Sequence, residues 1–177
     1  FTIKSEFFTH SQFASLKLKD AICDRFRKFN NDKRPDINTD KPDILFNLHI
    51  FRDKVTISLD SSGVSLHQRG NRVEQTIAPI NEVLAAGLIL LSKWDKQSHF
   101  IDAMCGSGTI VIEAASMAIN KAPNLERRYF CFKNWQNYDR TLYDAICLDL
   151  ENKIVKFPFK IIGSDNNKKA IFVAKAN

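Results

Sequence analysis

Phe100-Ile101-Asp102-Ala103-Met104-Cys105-Gly106-Ser107-Gly108-Thr109-Ile110-Val111-Ile112-Glu113-Ala114-Ala115 begins as a short apolar run, carries an acid into a turn with glycines at 106 and 108, and continues with apolar residues at helical spacing. The pattern predicts strand, tight loop and helix. Gly106 and Gly108 have no side chain, so a loop built on them lets backbone N–H groups approach a ligand. The helix that follows adds its positive N-terminal end. A small ligand with an anionic or carboxylate group is the first expectation, and a strand-turn-helix without a ligand is the alternative.

The spacing narrows the ligand. A dinucleotide fingerprint needs a third glycine and an acid about twenty residues further on. Here the third position is Val111, and no plausible strand-end acid appears before Asp165. A phosphate-cradling loop needs Gly-Lys-Ser/Thr, which is absent. With Asp102 ahead of the turn, the stretch resembles the first motif of S-adenosylmethionine-dependent methyltransferases.

The chain has 177 residues and a formal net charge of +6. That length holds one large or two small domains, with an apolar fraction ordinary for a globular protein. Cys23, Cys105, Cys131 and Cys147 form no C-x-x-C pair and no ligand spacing, so reduced thiols and no metal are expected. With no signal peptide read at the N-terminus, this predicts a cytoplasmic location. The longest apolar run, around Val83 to Leu91, falls short of the roughly eighteen residues a membrane helix needs, so no membrane is expected. Residues 1–72 carry 13 basic and 9 acidic residues and the remainder 13 and 11, a weak basic bias that permits a polyanionic partner.

Along the chain, Phe1-Thr2-Ile3-Lys4 suggests a short strand and Thr9, His10 or Ser11 a helix cap. From Phe13, apolar residues recur at Leu16, Ile22, Phe26 and Phe29, which predicts an amphipathic helix with Lys17, Lys19, Arg25, Arg27 and Lys28 on its exposed face. That face is either simply solvated or turned toward a polyanion. Ile44 to Phe51 and Lys54 to Asp60, flanking Arg52-Asp53, predict a β-hairpin in which His49 faces away from Leu48 and Ile50. The composition changes near Gly70, where a domain boundary is placed. Pro79 is expected to begin an apolar helix reaching about Trp94. Phe130, Phe132, Trp135 and Tyr138 form an aromatic cluster that either closes a core or stacks on bases. Tyr143 to Leu150 reads as a helix. Phe159-Lys160-Ile161-Ile162-Gly163-Ser164-Asp165 reads as a strand ending in an acid. In a parallel sheet that end falls beside the glycine loop, where Asp165 could accept two hydrogen bonds from a ribose diol or else cap the next helix.

Leu66-His67-Gln68-Arg69-Gly70-Asn71-Arg72, Ile77-Ala78-Pro79-Ile80-Asn81-Glu82, the 101–109 motif and Ala122-Pro123-Asn124 together resemble the THUMP-containing RNA methyltransferases. These include the bacterial 23S ribosomal RNA guanine-N2-methyltransferases, often labelled N6-adenine-specific DNA methylases. The resemblance covers nearly the whole chain. It implies an α/β protein: a partial THUMP-like RNA-binding domain over 1–70, then over 71–177 the first portion of a Rossmann-like S-adenosylmethionine-dependent methyltransferase sheet. It implies S-adenosyl-L-methionine as cofactor, held by Asp102, Met104, Cys105, Gly106, Ser107, Gly108, Thr109, Asp165 and Asn166, with the Thr76, Ala78 and Pro79 turn bordering it. RNA, ribosomal RNA first, is the implied partner, and guanine N2 the implied acceptor. The alternatives are guanine N2 of tRNA, adenine N6 of DNA, or a non-catalytic RNA-binding module. The family's Asn/Asp-Pro-Pro-Tyr/Phe catalytic motif is absent, since Pro35, Pro42, Pro79, Pro123 and Pro158 are all isolated. The chain therefore reads as a fragment without its catalytic residues, inactive by itself.

Overall fold

Branched and aromatic residues alternating on either side of residues 52 and 53 make the hairpin that organises the first part of the chain. In the computed structural model, which describes residues 2–4, 10–40, 42–52, 54–69 and 79–177, β2 (Leu45–Phe51) pairs antiparallel with β3 (Lys54–Asp60), from Leu45 opposite Asp60 to Phe51 opposite Lys54. β1 (Thr2–Lys4) lies parallel to β2 on its other edge. Leu48 and Ile50 point to the buried face and His49 to the exposed one, as the alternation requires. Against that face packs α1 (Ser11–Phe29), whose Ala14 and Leu18 complete a small core.

No side chain caps the start of α1 at His10, and Thr9 lies outside the described residues. Its end is well defined: the Asn30 side chain and backbone both donate to the Phe26 carbonyl, and Asn31 and Asp32 turn left-handed with φ of 49° and 61°. On its basic face, Lys19 pairs with Asp20 and Arg27 with Asp32, while Arg25 lies 4.3 Å over the Phe29 ring. Leu48 is only 3% exposed. Leu48→Ala is expected to destabilise this unit by about 3 kcal/mol, read as a lower urea midpoint at unchanged slope.

Two compact units divide the chain, Phe1–Gly63 with Tyr129–Tyr138, and Val64–Arg128 with Asp139–Asn177. Residues 129–138, read from the sequence as part of the second domain, thus group with the first. Phe132 N–H donates to the Ser61 carbonyl, the Tyr129 hydroxyl to that of Pro42, and Cys131 is fully buried. The aromatic cluster is real in part: the Phe130 and Phe132 rings lie 5.2 Å apart and those of Phe132 and Tyr138 5.8 Å apart.

The second unit runs α2 (Glu82–Leu91), β4 (Phe100–Asp102), α3 (Thr109–Ala118), α4 (Arg140–Asn152), β5 (Ile161–Gly163) and α5 (Lys168–Ala176). The helix expected to start at Pro79 and reach Trp94 is shorter. The Asn81 side chain accepts from the Val83 and Leu84 amides and fixes the start. At the other end the Ser92 hydroxyl donates to the Ile89 carbonyl, and Lys93 takes φ of 57°. α2 and α3 approach closely because each buries an alanine completely, Ala85 and Ala114. β4 and β5 pair in parallel, with Asp102 opposite Gly163. α3 covers one face of this pair, and Ile101 and Ile162 stay exposed. At the N-terminal ends of the strands, the Trp94 ring packs against Phe100 and Phe157, and His99 accepts the Lys160 amide. Among the described residues, no helix is long and apolar enough to cross a membrane.

Candidate functional site

Parallel strands bring their carboxyl ends to one side, and here the backbone continues to pair beyond the last sheet residues. Ser164 N–H donates to the Asp102 carbonyl at 2.8 Å, and Cys105 N–H to the Ser164 carbonyl at 2.9 Å. Gly106 N–H then donates to Asp165 Oδ2 at 3.0 Å. The glycine loop is thereby latched to the end of β5. Asp165 Oδ1 accepts from the Asn167 amide at 2.8 Å, and Asn167, not Asp165, caps α5 by accepting from Lys169 N–H. The amides of Asn167 and Gly106 hold the Asp165 carboxyl below the usual carboxylate range.

At the end of β4, Asp102 Oδ1 accepts from the Met104 amide at 3.1 Å. Its Oδ2 is buried with no hydrogen-bond partner among the described residues. Gly106 and Gly108 take left-handed φ of 54° and 84°. A Cβ at Gly106 would meet nothing within 4 Å, so the loop presents an open face there, whereas one at Gly108 would lie 3.2 Å from Ala174 Cβ. Cys105 is buried, and its thiol is pushed up by that burial and then by the Asp102 and Asp165 carboxylates. Ser107 and Thr109 are buried at the start of α3, with hydroxyls 3.5 Å apart, and the Asn177 side chain donates to the Ser107 carbonyl at 3.1 Å.

Of the residues singled out from the sequence, Asp102, Cys105, Gly106, Ser107, Gly108, Thr109 and Asp165 converge. Met104 lies in the loop, with 86% of its surface exposed. Asn166 follows Asp165 and is exposed, and Pro79 precedes the Asn81 cap. Thr76, Ala78 and the boundary residue Gly70 lie outside the described residues. The loop differs from expectation in one respect. The amides of Cys105, Gly106 and Gly108 are spent on Ser164, Asp165 and the Cys105 carbonyl, so they do not face a ligand. Sequence reasoning missed Glu113, the single charge in α3, which is buried and pairs with Arg69 at 3.2 Å. An acid four residues after Thr109 on an otherwise apolar helix was the available signal.

Residues 69–177 match the family model described as RMKL-like, methyltransferase domain, and residues 1–60 match that of the THUMP domain. The ribosomal RNA large subunit methyltransferase K/L of Syntrophotalea carbinolica is 43% identical over 176 residues, which is 95% of this chain and 24% of that protein. Its namesake in Desulfotalea psychrophila is 46% identical over 141 residues, or 77% and 19% respectively. The chain thus spans at most about a quarter of these curated relatives' length. A solved structure, SMU.472, described as a methyltransferase and complexed with SAH, matches with a TM-score of 0.82 at 30% identity, over 99% of this chain and 46% of that one. The parallel strand pair, the loop latched across its ends and the model match over residues 69–177 agree: the chain belongs to the RMKL-like methyltransferase domain family and carries THUMP sequence ahead of it.

Proposed function

We propose that the second unit binds S-adenosyl-L-methionine, as the N-terminal part of a methyltransferase domain over 71–177. The observation that carries this is the buried, unpartnered Oδ2 of Asp102 beside the open face of Gly106. A buried carboxylate oxygen without a donor is costly, so the site favours a ligand that brings one. Asp102 and Asp165 make the strand ends acceptor-rich and negative. Such a rim repels the pyrophosphate of a dinucleotide and attracts a ligand carrying an ammonium, a sulfonium and ribose hydroxyls. The residues present therefore fit this cofactor better than the anionic group first expected of the loop.

In this reading Asp102 takes the ammonium, the 104–107 backbone lies along the methionine end, and Gly108 with Thr109 turns the chain into α3. Asp165, with Asn166, takes the ribose hydroxyls. Its carboxylate has acceptor sites left after the two amides. The family resemblance adds Thr76, Ala78 and Pro79 to the residues assigned to the cofactor. When bound, the cofactor supplies an electrophilic methyl group, and the contribution of these residues is to hold it still and aimed.

The acceptor we assign is an exocyclic amine of RNA, guanine N2 of large-subunit ribosomal RNA. The relatives' names and the THUMP match over residues 1–60 support this. Residues 1–70 then serve as a partial RNA-binding domain giving affinity through shape and phosphate contacts, with the target base taken out of its stack. Calorimetric titration of S-adenosylmethionine, S-adenosylhomocysteine and NAD into the chain tests the cofactor assignment. Both sulfur compounds are expected to bind and NAD to give no heat. Binding of NAD alone, or silence toward both sulfur compounds, overturns it.

A further inference from the structure

One turn into α3, Arg69 meets Glu113 through two contacts, Nε to Oε1 at 3.2 Å and Nη2 to Oε2 at 3.4 Å. Both side chains are largely enclosed, 14% and 10% exposed. The third arm of the guanidinium donates to the Leu66 carbonyl at 3.4 Å. With Ser107, Thr109 and Glu82, the pair lines a cavity of about 20 Å³, enough for a single water.

Arg69 is itself held. Asn124 donates to the same Leu66 carbonyl at 3.1 Å, and the buried Arg127 donates to those of Val64 at 2.7 Å and Ser65 at 3.5 Å. The segment 64–69 is thus stitched to its own unit before the guanidinium reaches Glu113. Glu113 stands one helical turn after Thr109, on the same face of α3, and Gly108 caps that helix. A bidentate guanidinium–carboxylate pair fixes orientation as well as distance, which a single point charge cannot do.

We infer that Arg69 is a positioning residue of the cofactor loop. Its fork on Glu113 sets the rotation of the first turn of α3, and with it the place of the 105–108 backbone. This rests on the cofactor reading above. Asp165 keeps the Asn167 amide on the β5 side when its bond to Gly106 loosens, so the ribose end of the ligand responds less than the methionine end.

The test titrates S-adenosylhomocysteine and 5′-methylthioadenosine, the same nucleoside thioether without the amino-acid end, into the chain and its Arg69→Lys and Glu113→Gln variants. Arg69→Lys keeps the charge and loses the fork, and Glu113→Gln keeps the shape and loses the charge. Each is expected to weaken S-adenosylhomocysteine about tenfold, the lower end for one charged hydrogen bond, and to leave methylthioadenosine within about twofold. The double variant should lose no more than either single one, because both act through one contact. Equal weakening of the two ligands makes the pair merely structural and overturns the inference, as does unchanged S-adenosylhomocysteine affinity. Failure of the unaltered chain to bind either ligand refutes the cofactor reading and the inference with it.

Discussion

Replacing Asp165 with alanine is expected to weaken S-adenosylhomocysteine binding by about a hundredfold or more in a calorimetric titration, the scale of losing charged hydrogen bonds. Two causes add. In the proposed reading the carboxylate takes the ribose hydroxyls, and in the structure it also accepts the Gly106 and Asn167 amides at 3.0 and 2.8 Å. Removing it withdraws a ligand contact and unlatches the loop that forms the rest of the site. Asp165→Asn separates the causes only in part. Its amide group must face one of the two N–H donors, so one latch contact becomes donor against donor. We expect the asparagine variant to fall between alanine and the unaltered chain. Equal affinity in all three would remove Asp165 from the site.

The same carboxylate sets a pH window. Its folded-state value is depressed by the Asn167 and Gly106 amides, so its contribution is complete above the ordinary carboxylate value. That contribution is lost only as the pH falls through the lower, folded value. The affinity should therefore not change on account of Asp165 across the neutral range.

Features carried by local pattern were legible before the structure. Two glycines after an acid, flanked by a short apolar run and a helical period, placed β4, the loop and α3, and the acid closing an apolar run placed Asp165 at the loop. His49 falls on the exposed face because alternation admits no other register once Leu48 and Ile50 are buried. Features carried by a single polar contact were not legible. Pro79 looked like a helix start because it tolerates a first turn, but the Asn81 side chain bonds two amides and decides the start. The loop looked like a ring of free amides, although its donors are consumed by Ser164 and Asp165, more than fifty residues later in sequence. Residues 129–138 join the first unit through contacts with Ser61 and Pro42 that no period encodes. Arg69 and Glu113 are 44 residues apart, and only the fold makes them neighbours.

Gly163→Val tests the geometry beneath the site without removing a polar group. Gly163 pairs with Asp102 across the strand pair, where α3 and the glycine loop descend onto the sheet. A Cβ there would lie 3.0 Å from Val111 Cγ2 and 3.1 Å from both Cβ and Sγ of Cys105. Neither neighbour can retreat cheaply. Val111 belongs to α3, held against α2 where Ala114 and Ala85 are fully buried, and the Cys105 amide is tied to the Ser164 carbonyl at 2.9 Å. Valine adds two methyl groups beyond a Cβ that is already tighter than ordinary contact. Overpacking of this kind costs about 3 kcal/mol, and Gly163→Ala should cost about 1. Urea unfolding reads both values. The valine variant should also lose S-adenosylhomocysteine binding at urea concentrations where it is still folded, because the displaced Cys105 carries Gly106 away from Asp165. An unchanged urea midpoint for Gly163→Val would mean that α3 does not press on β5 as closely as the structure has it. The loop would then be positioned from the Arg69 side alone.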